Sequence, residues 1–95
     1  MQAVWKFELH PYAPVTMPVG AKPLHVGVQA DAICLWALVD PNAMLEKRNF
    51  VIVGTGHDLP EHAGKHLGTA LLSGGSLVFH VFDIKEEFKS NEYPN

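Results

Sequence analysis

The stretch "HLGTALLSGGSLVFHVFDI", residues 66–84, decides the fold class. Two apolar runs rich in β-branched and aromatic residues flank Ser73-Gly74-Gly75-Ser76. Tandem glycines accept the positive φ that a tight two-residue hairpin turn demands, so the reading is strand, turn, strand. Working outward, the same grammar recurs. "VWKFEL" (4–9) sets Trp5, Phe7 and Leu9 on one face and Lys6 and Glu8 on the other. "LHVGVQA" (24–30) directs Leu24, Val26 and Val28 inward, with His25, Gly27 and Gln29 outward. "AICLWALVD" (32–40) is apolar on both faces, as a strand covered on both sides would be. "NFVIVGTG" (49–56) is a further strand.

Between these runs lie turn signals. Pro11, Pro14, Pro18 and Pro23 exclude a helix and a central strand from 10–23, leaving an extended connection with a short edge strand at "VTM". "DPNAMLEKRN" begins with Asp-Pro-Asn and reads as a turn. The expected fold is all-β: a small antiparallel β-sandwich or barrel of about six strands, built mainly as a meander. Residues 1–84 form one β domain, and 85–95 a charged C-terminal tail or short helix.

Composition narrows the partners. The 95 residues are 47% apolar and 18% charged, too apolar for a disordered chain. Seven basic residues against ten acidic ones are scattered, so no basic stripe follows a phosphate backbone, and nucleic acid is not an expected partner. No apolar stretch approaches the roughly eighteen residues that cross a bilayer, so no membrane partner is expected. The N-terminus lacks the basic start and apolar core of a signal peptide. Cys34, the single cysteine, reads as a small buried hydrophobe, which fits a reducing compartment.

"VWKFEL", "MPVGAK", "LWALVDPNA", "VGTGH" and "GGSLVFHVF" occur in this order. Together they resemble a family of small tailed-bacteriophage proteins with a Trp-Lys-aromatic start, a central Trp-Ala-x-Val-Asp-Pro, a Gly-Thr-Gly-His and a final Gly-Gly-x-Leu-Val-Phe-His-Val-Phe. The resemblance runs from about Val4 to Asp83 and implies the host cytoplasm as the setting. It carries no activity to any residue here.

Chemistry concentrates in "VIVGTGHDLPEHAGKHLGT" (51–69). Glycines at a strand end expose backbone N–H groups, and Thr55, Gly56 and His57 add anion donors. There is no Gly-Lys-Ser/Thr ending, so this is not a Walker loop. The plainer reading is a turn or bulge that needs small residues. His57, His62 and His66 share a loop that does not enforce convergence, so no metal and no cofactor are expected. His25 and His80, each inside a strand, read as half-buried hydrogen-bonding residues. No nucleophile with a placed base is legible, so the expectation is a non-enzyme.

The two-sided run at 32–40 raises association. If its Cys34/Trp36/Leu38 face is not covered within one chain, it marks an interface, most simply that of a two-fold homodimer. The leading expectation is a non-enzymatic phage protein that binds a small anionic ligand, in one form an anti-defence sponge for a nucleotide-derived immune signal. Thr55, Gly56 and His57 would hold the anion, Lys65 or His66 would add charge, and Trp36 would stack. The alternatives are a protein-interaction module docking by its sheet edge, and a small metal-assisted hydrolase.

Overall fold

A computed structural model describes residues 1–89. It is all-β, as the hairpin grammar predicts, with eight strands in three antiparallel sheets. The strands are β1 (Ala3–Glu8), β2 (Val15–Pro18), β3 (Lys22–Gln29), β4 (Ala32–Val39), β5 (Leu45–Arg48), β6 (Val51–Gly54), β7 (Ala63–Leu72) and β8 (Leu77–Ile84). One sheet has the order β1-β4-β3, the second β6-β8-β7, and β2 pairs with β5 in a two-stranded ribbon.

The connectivity departs from a meander. Only β3–β4 and β7–β8 are hairpins of consecutive strands, while β1 reaches over to β4 and β6 to β8. The proline-spaced segment after β1 keeps β1 from pairing with its successor, and β4 takes its place. β5 is also new. "LEKR" is exposed at three of four positions and has no apolar period, so pairing with β2, rather than burial, makes it a strand.

Turn chemistry differs in both hairpins. Leu72 still pairs with Leu77, so the β7–β8 loop is the four residues Ser73–Ser76, not two. The two-residue loop is the other one, Ala30-Asp31, between the paired Gln29 and Ala32. Both of its residues take positive φ, at 52° and 57°, without a glycine. The Asp31 carboxylate accepts the Ser73 N–H at 3.2 Å, so the two hairpin tips are tied together.

Alternation along β4 organises the core. Ile33, Leu35, Ala37 and Val39 are buried, and they meet Val26 from β3, Met17 from β2, and Ala70 and Val81 from the second sheet. Phe7, Phe50, Ile52 and Phe79 pack around them. Of the three β3 residues expected inward, only Val26 is buried. Leu24, at the register shift between Pro23 and His25, is 55% exposed, and Val28, near the end of the strand, is 37% exposed. Trp5 faces the core side of β1 but is itself 38% exposed.

The two larger sheets meet where edge strands β3 and β7 run against one another. A Cβ at Gly68 would lie 2.6 Å from Val26 Cβ, closer than two carbons can sit. On the far side of the second sheet, Val51, Val53, Ala63 and Ile84 form a smaller cluster with Phe82 and Phe88. Arg48 links ribbon to sheet: it lies 3.0 Å from the Asp83 carboxylate, donates to Ala21 C=O and covers the Phe50 ring. The expected tail begins with a short 3₁₀ turn at Glu86–Phe88, and 90–95 of that segment lie outside the described residues. No helix among the described residues is long and apolar enough to cross a membrane.

Gly68→Ala is expected to lose about 1–3 kcal/mol of stability, because the added methyl meets a branched Cβ that cannot rotate away. Urea unfolding checks this, and Val26→Ala in the same chain should not rescue it, since the clashing atom remains.

Candidate functional site

Gly54-Thr55-Gly56-His57 is a β-turn. His57 N–H donates to Gly54 C=O at 3.1 Å, and Gly56 sits at φ 90°, as the third residue of a type II turn does. The Thr55 N–H is taken by Val78 C=O at 3.2 Å. Two of the N–H groups an anion nest would use are thus spent on the fold, which answers in favour of the plainer reading of the glycines. The turn nonetheless positions something: the His57 ring lies over Gly54, where a Cβ would come within 3.2 Å of Nδ1.

A cleft of about 530 Å³ opens at that ring, within the size range of small-ligand pockets. Its lining includes the β1–β2 loop at Pro11, Tyr12 and Ala13 and the segment carrying His57, Asp58, Pro60 and His62. Phe50 and Phe79 supply aromatic surface. All four residues of β6, Val51 to Gly54, line it in succession. Side chains on a strand alternate between faces, so four consecutive lining residues mean that the cleft runs along the strand's edge. β6 is the outer strand of its sheet, and that edge is the open one.

The phase of the ladder gives the edge its chemistry. Thr55 donates to Val78, so the hydrogen-bonded pairs with β8 are Thr55, Val53 and Val51. The alternate residues, Ile52 and Gly54, direct their backbone N–H and C=O away from β8. Gly54 C=O closes the turn on His57, leaving the Ile52 N–H and C=O and the Gly54 N–H facing the cleft.

A second polar constellation occupies the outer face of the same sheet. His80 Nε2 lies 2.7 Å from Thr55 Oγ1, and its Nδ1 lies 3.0 Å from Thr69 Oγ1. Thr69 Oγ1 in turn lies 3.3 Å from His66 Nε2, and the His66 ring meets Phe82 edge-on at 5.1 Å. His80 is thus the hydrogen-bonding strand histidine anticipated. His25 is instead exposed and lies against Trp36, with ring centroids 5.8 Å apart.

The sequence-derived residues therefore part company. Only His57 lines the cleft. Thr55 turns its hydroxyl to His80 on the opposite face, His66 joins that same chain, and Lys65 is exposed on β7 beside it. Gly56 forms the turn, and Trp36 lies on the other sheet. His57 and His62 share the cleft, but His66 does not, so the three do not converge, and no group of three or more ligating side chains is arranged for a metal among the described residues. On the outer face of the first sheet, Lys6 donates to Gln29 across β4, and this bridge helps explain why Cys34 is buried on a face otherwise open to solvent. Trp36 and Leu38 on that face are half-buried, and Val4 beside them is 56% exposed. Sequence reading missed Asp58, Phe50 and Phe79 as cleft residues. Their convergence needs the β6–β8 pairing, which no local pattern announces.

The family model described as "Domain of unknown function (DUF7352)" matches residues 1–92. The chain belongs to that family. No curated protein and no solved structure matches this DUF7352 domain.

Thr69→Val should cost about 1 kcal/mol, since one hydroxyl serves two imidazoles and its loss leaves both short of a partner. Denaturant unfolding at neutral pH measures it, and a neutral outcome would mean that solvent already serves these histidines.

Proposed function

We propose that this DUF7352 domain is a non-catalytic binding protein whose ligand lies in the cleft along β6. What carries the reading is the coincidence of the cleft with the His57 turn: an open strand edge, two phenyl rings and an imidazole face one space. Such a mix of apolar wall and few polar groups suits binding. In the phage setting that the motifs suggest, the protein acts in the host cytoplasm. A nucleotide-derived signal is one occupant consistent with this, its base against Phe50 or Phe79 and its anionic end at His57. Against a highly charged nucleotide stands the lining itself. Among its described residues there is no Lys or Arg, and Asp58 adds a carboxylate.

Thermal shift with a panel of nucleotides and aromatic fragments tests the cleft. Compounds that stabilise the wild type are expected to bind His57→Ala about tenfold more weakly, roughly 1.4 kcal/mol. Equal stabilisation of both proteins would place binding elsewhere.

Self-association is part of the same proposal. The Val4, Trp36 and Leu38 surface of the first sheet is apolar and partly open, and a second copy related by a two-fold axis would cover it. Sedimentation velocity is expected to find a dimer that Trp36→Lys converts to monomer. A wild-type monomer at every concentration would remove the dimer.

A further inference from the structure

The Ile52 N–H and C=O and the Gly54 N–H are directed away from β8, toward the cleft that β6 lines. Backbone groups in such a row are the template on which another strand adds. We infer that the occupant of the cleft is an extended, apolar-to-basic segment of another polypeptide, which joins the β6-β8-β7 sheet as a fourth strand beside β6. This rests on the cleft being the binding site.

Three observations select that occupant. The first is directional: the three groups lie on alternate residues, Ile52 and Gly54, about 7 Å apart along one edge, which is the spacing at which an added strand places its own alternate residues. The second is steric. Two loops, at residues 11–13 and 57–62, line the cleft along with that edge. A second copy of this chain carries the same loops beside its own β6, so two such edges cannot close to the roughly 4.8 Å that separates paired strands. A slender segment without flanking loops can. The third is electrostatic. Asp58 is the one carboxylate in the described lining, with no Lys or Arg to oppose it, and the whole chain carries a formal charge of −3. Residues on the inner side of the added strand would meet Phe50 and Phe79, so they are apolar. Asp58 shares the lining, so a basic side chain is favoured where the strand comes within its reach. Gly54 C=O, committed to the turn, ends the pairing at that point.

The probe is a six-residue peptide alternating lysine and valine, with acetyl and amide ends, titrated into the full chain labelled with ¹⁵N. The expected result is a shift of the Ile52 and Gly54 amide resonances and slowed hydrogen exchange at both, with the Val51 and Val53 amides little changed in exchange. Methylation of alternate peptide nitrogens, in either phase, should abolish binding in one phase only. Exchanging lysine for glutamate should weaken binding at least tenfold, and Asp58→Asn should remove most of that discrimination without altering the fold. Absence of any response at Ile52 and Gly54, or equal binding of both methylated forms, overturns the strand-addition proposal. If nucleotides or aromatic fragments perturb His57 and Phe79 while the peptide does not, the cleft reading survives and this one fails. If neither class perturbs the cleft, both fail.

Discussion

The close approach of β7 to β3 at Gly68 and Val26 is the constraint on which the architecture depends. With no side chain at Gly68, two edge strands from different sheets can run side by side, and Val26 fills the space that a Cβ would need. That seam brings Ala70, Phe79 and Val81 over Leu35 and Ala37, and so makes one core from two three-stranded sheets. Neither sheet alone has enough apolar surface to persist as an isolated layer. β2 and β5 add Met17 and the Arg48–Asp83 link, which ties the ribbon to the second sheet through a partly buried ion pair.

In that arrangement β7 packs against β3, whereas β6, the outer strand on the other side of the second sheet, lines the cleft. Exposed edges invite indiscriminate pairing, and proteins manage them by shortening, covering or recessing the strand. β6 is both short and recessed, with four residues set between two loops. This geometry limits what can reach it without satisfying its backbone groups. The glycine turn at 54–57 contributes by stopping the strand and by placing the His57 ring at the end of the recess.

The histidines illustrate how far local reading carries. His80 could be assigned a hydrogen-bonding role from its place inside an alternating strand, and Thr55 and Thr69 are its partners. The loop histidines could not be sorted, because their fate depends on which face of β6 and β7 each approaches. His57 and His62 fall on the cleft side and His66 on the other, with β7 beginning at Ala63, earlier than its apolar run, and bulging around His66. A polar stretch turned into strand by pairing leaves no periodic trace.

The all-β class, the β7–β8 hairpin and the burial of Cys34 were legible in the amino-acid order, since period-two alternation and tandem glycines are local effects of backbone geometry, whereas the run at 32–40, apolar on both faces, left its inward face to the tertiary structure. Pairing partners were not legible either. That β1 lies on β4, that "LEKR" becomes β5, and that Phe50, Phe79 and Asp58 share a cleft are long-range outcomes. They are settled by which strands can close over a common core, a competition among distant segments that no single window of residues records.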